Sequence, residues 1–277
     1  KSMHDVDLYD TLVDLNRAGV PLLEIVSEPD MRTSQEAYDY LMEVRKLVRY
    51  LDICDGNMEE GSMRCDANIS VMLVGSKEFG TKVEVKNMNS MRNVQKAIEF
   101  EIERQIEMVE NNETIYMETR SYDALKNITI GMRSKEAAND YRFFPEPDLQ
   151  PITVLLADIE IIRAEMPELP RDLFIKYTSN YGLSDYDAYN LTDSREIALF
   201  YEKVISFTKN YKSAANWVMG DVKSHLNQNG LEISEFPIAA GQLAELIKIV
   251  DEGKVSSTVA SKKVFPEMLK SNEKSPL

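Results

Sequence analysis

Between Ser62 and Ser70, Arg64, Asp66 and Asn68 stand at alternate positions. Alternate side chains of an extended chain share a face, so these three project together. Glu59-Glu60 lie just ahead of them, and Glu84 and Lys86 share one face of a second alternating stretch, Thr81–Lys86. If the two stretches pair as a hairpin, Arg64, Asp66, Asn68, Glu84 and Lys86 converge on one surface. Carboxylates hold a hard cation, and Arg and Lys neutralise charge on a phosphoryl group in transfer, so the mixture suits Mg2+ and phosphate. The same residues also make an ordinary solvent face tied by cross-strand ion pairs. The pattern alone leaves both readings open.

Glu24 sits inside an apolar run, Leu22-Leu23-Glu24-Ile25-Val26. A buried carboxylate is costly unless it is paired or bound to metal. It reads either as a metal ligand or as a structural glutamate paired with an arginine such as Arg17.

Several chemistries find no support. There is no GxxxxGK[ST], GxGxxG, HExxH or GxSxG pattern, so any use of ATP lies outside the P-loop and dinucleotide-fold families. Cys54 and Cys65 are not in a CxxC pair and have no neighbouring His, which argues against a zinc site or disulfide framework and fits a reducing, cytoplasmic setting. His4 and His225 are far apart in sequence, so no local Cys-His or Ser-His nucleophile is apparent. Trp217 and the tyrosines between Tyr181 and Tyr189 read as packing residues rather than base-stacking platforms.

The chain has 277 residues, 43% apolar and 29% charged, a globular composition long enough for two domains. No apolar run approaches the roughly 20 residues of a membrane span, and Lys1-Ser2-Met3-His4-Asp5 offers no secretory leader. Net charge is −15, which opposes bulk electrostatic binding to nucleic acid and leaves only local RNA contacts. From Gly241 to Leu277 six lysines face five carboxylates, so this end repels phosphate least. A solvated helix surface explains the same balance.

The elements that position these residues follow from periodicity. Val20–Val26 reads as a buried strand ended by Glu28-Pro29-Asp30. Thr33-Ser34-Gln35-Glu36 is a capping box opening a helix through Leu51. Ser62–Val71 alternates strictly, and a turn around Gly75 and Gly80 leads into its partner, Thr81–Lys86. A helix over 91–110 follows, with Val94, Ala97, Ile98, Ile102, Ile106 and Val109 as its apolar stripe, then a hairpin from 115–122 and 127–132. Pro145, Pro147 and Pro151 end regular structure. Beyond Leu156 only helices are predicted, over 158–164, 171–181, 194–208, 213–229, 239–252 and 256–269, with Gly230 as a C-cap. The fold class is α+β with a mainly antiparallel sheet, followed by an all-helical domain and a partial helical tail. The boundaries fall at residues 1–155, 156–236 and 237–277.

Four long stretches carry a family resemblance. Leu15–Asp30 (LNRAGVPLLEIVSEPD), Asp55–Asn68 (DGNMEEGSMRCDAN), Glu84–Ser90 (EVKNMNS) and Asp140–Asp148 (DYRFFPEPD) resemble, in order, the B subunit of the aspartyl/glutamyl-tRNA amidotransferases. Met166–Pro170, Asn216–Gly220 and Lys262–Pro266 extend the likeness along essentially the whole chain. The resemblance implies a cradle-shaped domain that uses ATP and Mg2+ to phosphorylate the side-chain carboxylate of misacylated Glu-tRNA(Gln) or Asp-tRNA(Asn). Ammonia then displaces the phosphate. The ammonia comes through a tunnel from the A subunit, a glutaminase. A small C subunit wraps the pair, and the helical and tail domains help hold the tRNA. Such an enzyme is a glutamine-dependent C–N ligase.

Residue by residue, the resemblance makes Glu24 a Mg2+ ligand and sets Asp66 near the synthetase end of the ammonia tunnel. Arg64 joins them as a catalytic candidate. Glu59, Glu60, Asn68, Glu84, Lys86 and Asn87 become cradle-lining cofactor contacts. In the family a Glu-x-His pair and a Glu-Glu-Asp-Ala-Gly run, which supply the other metal ligands, lie upstream of the residues that Lys1-Ser2 resembles, and the family's tail extends beyond the two helices read here. The expectation is therefore a truncated chain whose kinase site is incomplete and which is inactive alone. A non-catalytic tRNA-binding or scaffolding module of the same complex is the alternative. The Gln-specific archaeal relative carries an inserted domain for which there is no room between Glu146 and Leu169.

Overall fold

The computed structural model describes residues 2–3, 12–16, 18–132 and 150–270. β1 (Ser2–Met3) and β2 (Leu12–Val13) form a short antiparallel ladder. Between β2 and α1 (Ser34–Tyr50) the described residues form no helix or strand. The buried strand expected over Val20–Val26 does not form. Leu22 is 92% exposed, and Glu24 is exposed with it. Apolar composition gives a segment strand propensity, but a strand exists only when a neighbour takes its backbone donors and acceptors. No neighbouring strand pairs with it among the described residues. Arg17, the suggested partner of Glu24, lies outside them.

α1 begins at the capping box read from sequence. Glu36 N donates to Thr33 Oγ1 at 3.1 Å, and Thr33 N donates to Glu36 Oε2 at 3.0 Å. β3 (Ala67–Ile69), β4 (Val83–Lys86), β5 (Thr119–Asp123) and β6 (Ile128–Gly131) form a sheet in that order. The β3–β4 and β5–β6 ladders are antiparallel. The central β4–β5 ladder is parallel, because α2 (Met91–Glu110) lies between them in sequence and supplies the crossover. The alternation of Ser62–Ser70 persists in its burial, but only Ala67–Ile69 pairs.

One sheet face is apolar. Ile69, Val85 and Tyr122 pack with Ala37 and Leu41 of α1 and Val94, Ala97 and Ile98 of α2. The expected α2 stripe holds over its first half only, since Ile106 and Val109 remain exposed. Glu101 and Gln105 are fully buried there instead.

The rest of the chain is helical. It comprises α3 (Leu156–Glu165), α4 (Pro170–Ser179), α5 (Asp185–Leu191), α6 (Arg195–Ile205), α7 (Tyr211–Trp217), α8 (Lys223–Asn229), α9 (Ala240–Asp251), α10 (Ser257–Val259) and α11 (Phe265–Lys270). π turns at Val218–Val222 and Ala260–Val264 interrupt two helices that periodicity reads as continuous. Sequence periodicity also misses α5, although Ser184 caps it by accepting from Asp187 N at 3.2 Å.

Tyr177, Leu191, Tyr201, Val218, Leu243 and Ile247 centre this second core. Trp217 is buried in it beside Phe265, and Tyr181 stacks on Tyr211 at 4.2 Å, so both are packing residues. Tyr186 departs from that expectation and stands exposed. Gly230 adopts φ +64°, the left-handed C-cap read from sequence.

The two cores share α1. Its Ala37 and Leu41 belong to the sheet core, whereas Tyr50 is buried in the helical core. Lys46 donates to Thr192 Oγ1 at 3.1 Å and lies 4.3 Å from the Tyr189 ring centroid. Among the described residues no helix is long and apolar enough to cross a membrane.

Candidate functional site

The sheet face turned away from α1 and α2 carries the polar residues. The register that pairs Asn68 with Glu84 and Ala67 with Val85 sets Asp66 opposite Lys86. Lys86 Nζ donates to Asp66 Oδ2 at 2.6 Å and lies 3.0 Å from Glu84 Oε1. On the other flank of β4, Thr119 Oγ1 donates to Glu84 Oε2 at 3.0 Å. One ammonium thus bridges two carboxylates, and a hydroxyl orients the second.

The charges follow this geometry. Hydrogen bonding to Asp66, opposed by burial and aided by Glu84, holds Lys86 above its ordinary range. Burial pushes Glu84 up, but hydrogen bonds from Lys86 and Thr119 outweigh it and leave the carboxyl below the usual range. Both shifts favour the charged forms of Lys86 and Glu84.

Two turns present the flanking residues. Gly56 has φ +65°, and a Cβ there would meet Arg45 Cγ at 2.6 Å, so glycine is required twice over. Asn57 then organises the turn: its Oδ1 accepts from Glu59 N at 2.9 Å and Glu60 N at 3.3 Å. Its carbonyl accepts from Ser62 N at 2.9 Å. Glu59 and Glu60 are exposed at its rim. Asn87 follows β4 in the left-handed region at φ +64°, a conformation asparagine tolerates. It donates through Nδ2 to Ser121 Oγ at 2.8 Å and turns the chain so that Met88 enters the core.

The structure therefore brings Asp66, Glu84 and Lys86 into contact, with Asn68 on the strand between them. Arg64 is exposed on the same alternating face, ahead of the paired segment. Glu24 makes no hydrogen bond or ion pair with another described residue. Among the described residues no three His, Cys, Asp or Glu side chains converge to hold a metal ion. Asp66 and Glu84 are already engaged by a cation of the chain itself. These residues do not by themselves fit Mg2+. The Asp140–Asp148 motif lies outside the described residues.

Sequence reasoning missed a second polar constellation behind the sheet. Glu101 of α2 takes Arg104 Nε at 3.0 Å, Arg104 Nη2 at 2.6 Å and Thr129 Oγ1 at 2.9 Å. Arg120 Nε lies 3.6 Å from Glu101 Oε2. Burial pushes the Glu101 carboxyl up, and the bonds from Arg104, Gln105 and Thr129 more than offset it. Glu101 and Gln105 at i, i+4 on a helix whose other inward positions are apolar are the only sequence sign of it.

A small mixed sheet with an ion-paired polar face, backed by two helices and continued into a helical part, defines an α+β protein of this architecture. Family comparison gives it a lineage. Residues 1–160 match the family described as GatB/GatE catalytic domain, and residues 199–277 match the GatB domain. The chain belongs to the GatB family. It is 52% identical over 259 residues to the B subunit of the aspartyl/glutamyl-tRNA(Asn/Gln) amidotransferase of Rippkaea orientalis, covering 94% of this chain and 52% of that protein. The B subunit from Hydrogenovibrio crunogenus is 52% identical over 97% of this chain and 56% of its own length. That from Chlorobium limicola is 50% identical over 99% of this chain and 57% of its own. The chain spans about half the length of the curated relatives it matches.

Proposed function

We propose that this chain is part of the synthetase subunit of a tRNA-dependent amidotransferase. In this reading the side-chain carboxylate of Glu on tRNA(Gln), or of Asp on tRNA(Asn), is phosphorylated by ATP and then amidated by ammonia. A carboxylate resists attack by ammonia until one oxygen becomes a leaving group, and phosphorylation makes it one. The ammonia comes from the glutaminase (A) component, and a small third component (C) completes the assembly. The observation that carries the reading is the Asp66–Lys86–Glu84 face, set within stretches that match the family's catalytic domain.

The chain's own contribution is electrostatic and orienting. Lys86 holds a positive charge on an open sheet face, where it lowers the energy of negative charge developing on a phosphoryl oxygen. Arg64 adds a second cation on that face. Asp66 orients the Lys86 ammonium, and Asn68 and Asn87 offer carboxamides to a polar substrate. Glu59 and Glu60 stand exposed on the turn ahead of Arg64, and Glu24 is assigned to the site by the family resemblance alone. In this reading residues 1–155 form the cradle, 156–236 the helical domain and 237–277 the tail.

Glu24→Ala and Asp66→Ala, each made in the full-length subunit within its complex, test the assignment. Both are expected to bind misacylated tRNA normally and to lose amidation, scored as Gln-tRNA or Asn-tRNA formed. Full amidation by both variants removes Glu24 and Asp66 from the site. Tight tRNA binding with amidation intact in both variants favours the scaffolding alternative for this half.

A further inference from the structure

Gln105 is fully buried on α2, yet its side chain is spent entirely on the edge strand β3 and on Glu101. Nε2 donates to the Ile69 carbonyl at 3.1 Å, and Oε1 accepts from Val71 N at 3.1 Å. These two backbone groups flank Ser70. A residue of a neighbouring parallel strand would offer one donor and one acceptor to the same pair. The carboxamide of Gln105 therefore stands where a further strand would be, at the edge of the sheet order β3-β4-β5-β6. It also donates to Glu101 Oε1 at 2.9 Å. Glu101 is in turn fixed by Arg104 on its own helix and by Thr129 of β6. Arg120 of β5 donates to Thr129 Oγ1 at 2.8 Å and pairs with Glu118 at 2.8 Å. One buried network thus links β3, β5 and β6 through α2.

The opposite face of the same strands carries the proposed site. Strand alternation converts a slip of β3 into a loss of the Asp66–Lys86 alignment, because a shift by one residue inverts its faces. β3 is only three residues long, so its ladder to β4 holds register weakly without help. We infer that Gln105 is a positioning residue: its carboxamide clamps the end of β3 and so fixes Asp66 and Asn68 against Lys86 and Glu84. It acts through the strand and touches no substrate. The inference rests on the function proposed above and adds a residue outside that site.

The test uses the full-length subunit in its complex with Gln105→Met, which keeps the volume and removes both clamp bonds, and Gln105→Glu. A glutamate there faces the Glu101 carboxylate, with Arg104, Glu118 and Arg120 as the other charged groups around it. Like charge at such distance favours its protonated form, and a protonated carboxyl restores one donor and one acceptor. Gln105→Met is expected to lower kcat for amidation at least tenfold, with KM for misacylated tRNA and glutaminase activity within twofold of wild type. The ratio of Gln105→Glu to wild-type kcat is expected to rise as pH falls, while that of Gln105→Met stays flat. Unchanged kcat in Gln105→Met overturns the inference. So does a matched fall in kcat and tRNA binding in both variants at every pH, which marks a purely structural role. Asp66→Ala runs alongside. If it amidates normally, the site reading has failed; if it is dead while Gln105→Met is normal, only the clamp has.

Discussion

Lys86 Nζ donates to Asp66 Oδ2 at 2.6 Å across the antiparallel register that also pairs Asn68 with Glu84. Both partners remain partly exposed, with 36% and 49% of their side chains accessible. An ion pair in that setting contributes little to stability, about 0–1 kcal/mol. The role proposed for its charges can therefore be tested separately from stability.

Lys86→Met separates those roles. It removes the cation and leaves Asp66 and Glu84 as neighbouring carboxylates on one face. Unfolding free energy in urea is expected to change by less than about 1 kcal/mol. Amidation by the full-length complex is expected to fall by at least about 100-fold, the scale of losing one preorganised electrostatic contact. A variant that retains wild-type turnover excludes Lys86 from the chemistry.

Glu101 behaves in the opposite way. It is fully buried and satisfies Arg104, Gln105 and Thr129 at once, with Arg120 beside it. Glu101→Ala leaves two guanidinium groups short of their shared partner. Breaking a buried pair from one side costs about 3–5 kcal/mol. Urea denaturation is expected to show a loss of that size, and a loss under about 1 kcal/mol contradicts the network's role in holding the sheet to α2.

Acid should find the same groups. Glu84 and Glu101 both have carboxyls held below their ordinary value of 4.5. A group with a depressed folded pKa contributes stability that is complete above the unfolded value and is lost as pH falls through the folded one. Unfolding free energy is therefore expected to drop as pH is lowered from 4.5, and Glu101→Gln to flatten that slope. Lys86 has the reverse sign: its raised pKa contributes below the ordinary 10.5 and fades as pH rises beyond it. An acid slope identical in wild type and Glu101→Gln contradicts the assignment.

Gly230 offers a local test of helix termination. It closes α8 at φ +64°, and a Cβ added there meets no atom within 4 Å. Gly230→Ala therefore reports backbone strain alone, about 1–2 kcal/mol. Thermal unfolding is expected to move down accordingly, with amidation per folded molecule unchanged.

Local chemistry was legible in the chain. The Thr33–Glu36 capping box, the limits of α2, the Gly230 cap and the alternation around Arg64, Asp66 and Asn68 are set by residues a few positions apart. One turn or one pleat of backbone therefore determines them. The sequence reading also set Asp66, Asn68, Glu84 and Lys86 on one surface, but the register that places Asp66 against Lys86 came from the structure.

Other features depended on partners distant in sequence. Val20–Val26 has the composition of a buried strand and runs exposed, since a ladder needs a second strand and none pairs with it among the described residues. Glu101 and Gln105 look like solvent-facing helix residues in sequence. They are buried because Thr129, Arg120 and the Ile69–Val71 backbone meet α2 there. Tyr50, nine residues beyond Leu41 and so on the other side of α1, inserts into the helical core rather than the sheet core. The sequence by itself determined the start of α1, the limits of α2, the Gly230 cap and which residues of an alternating stretch share a face. Only the tertiary structure decided which faces are covered, because burial is a relation between elements and not a property of any one of them.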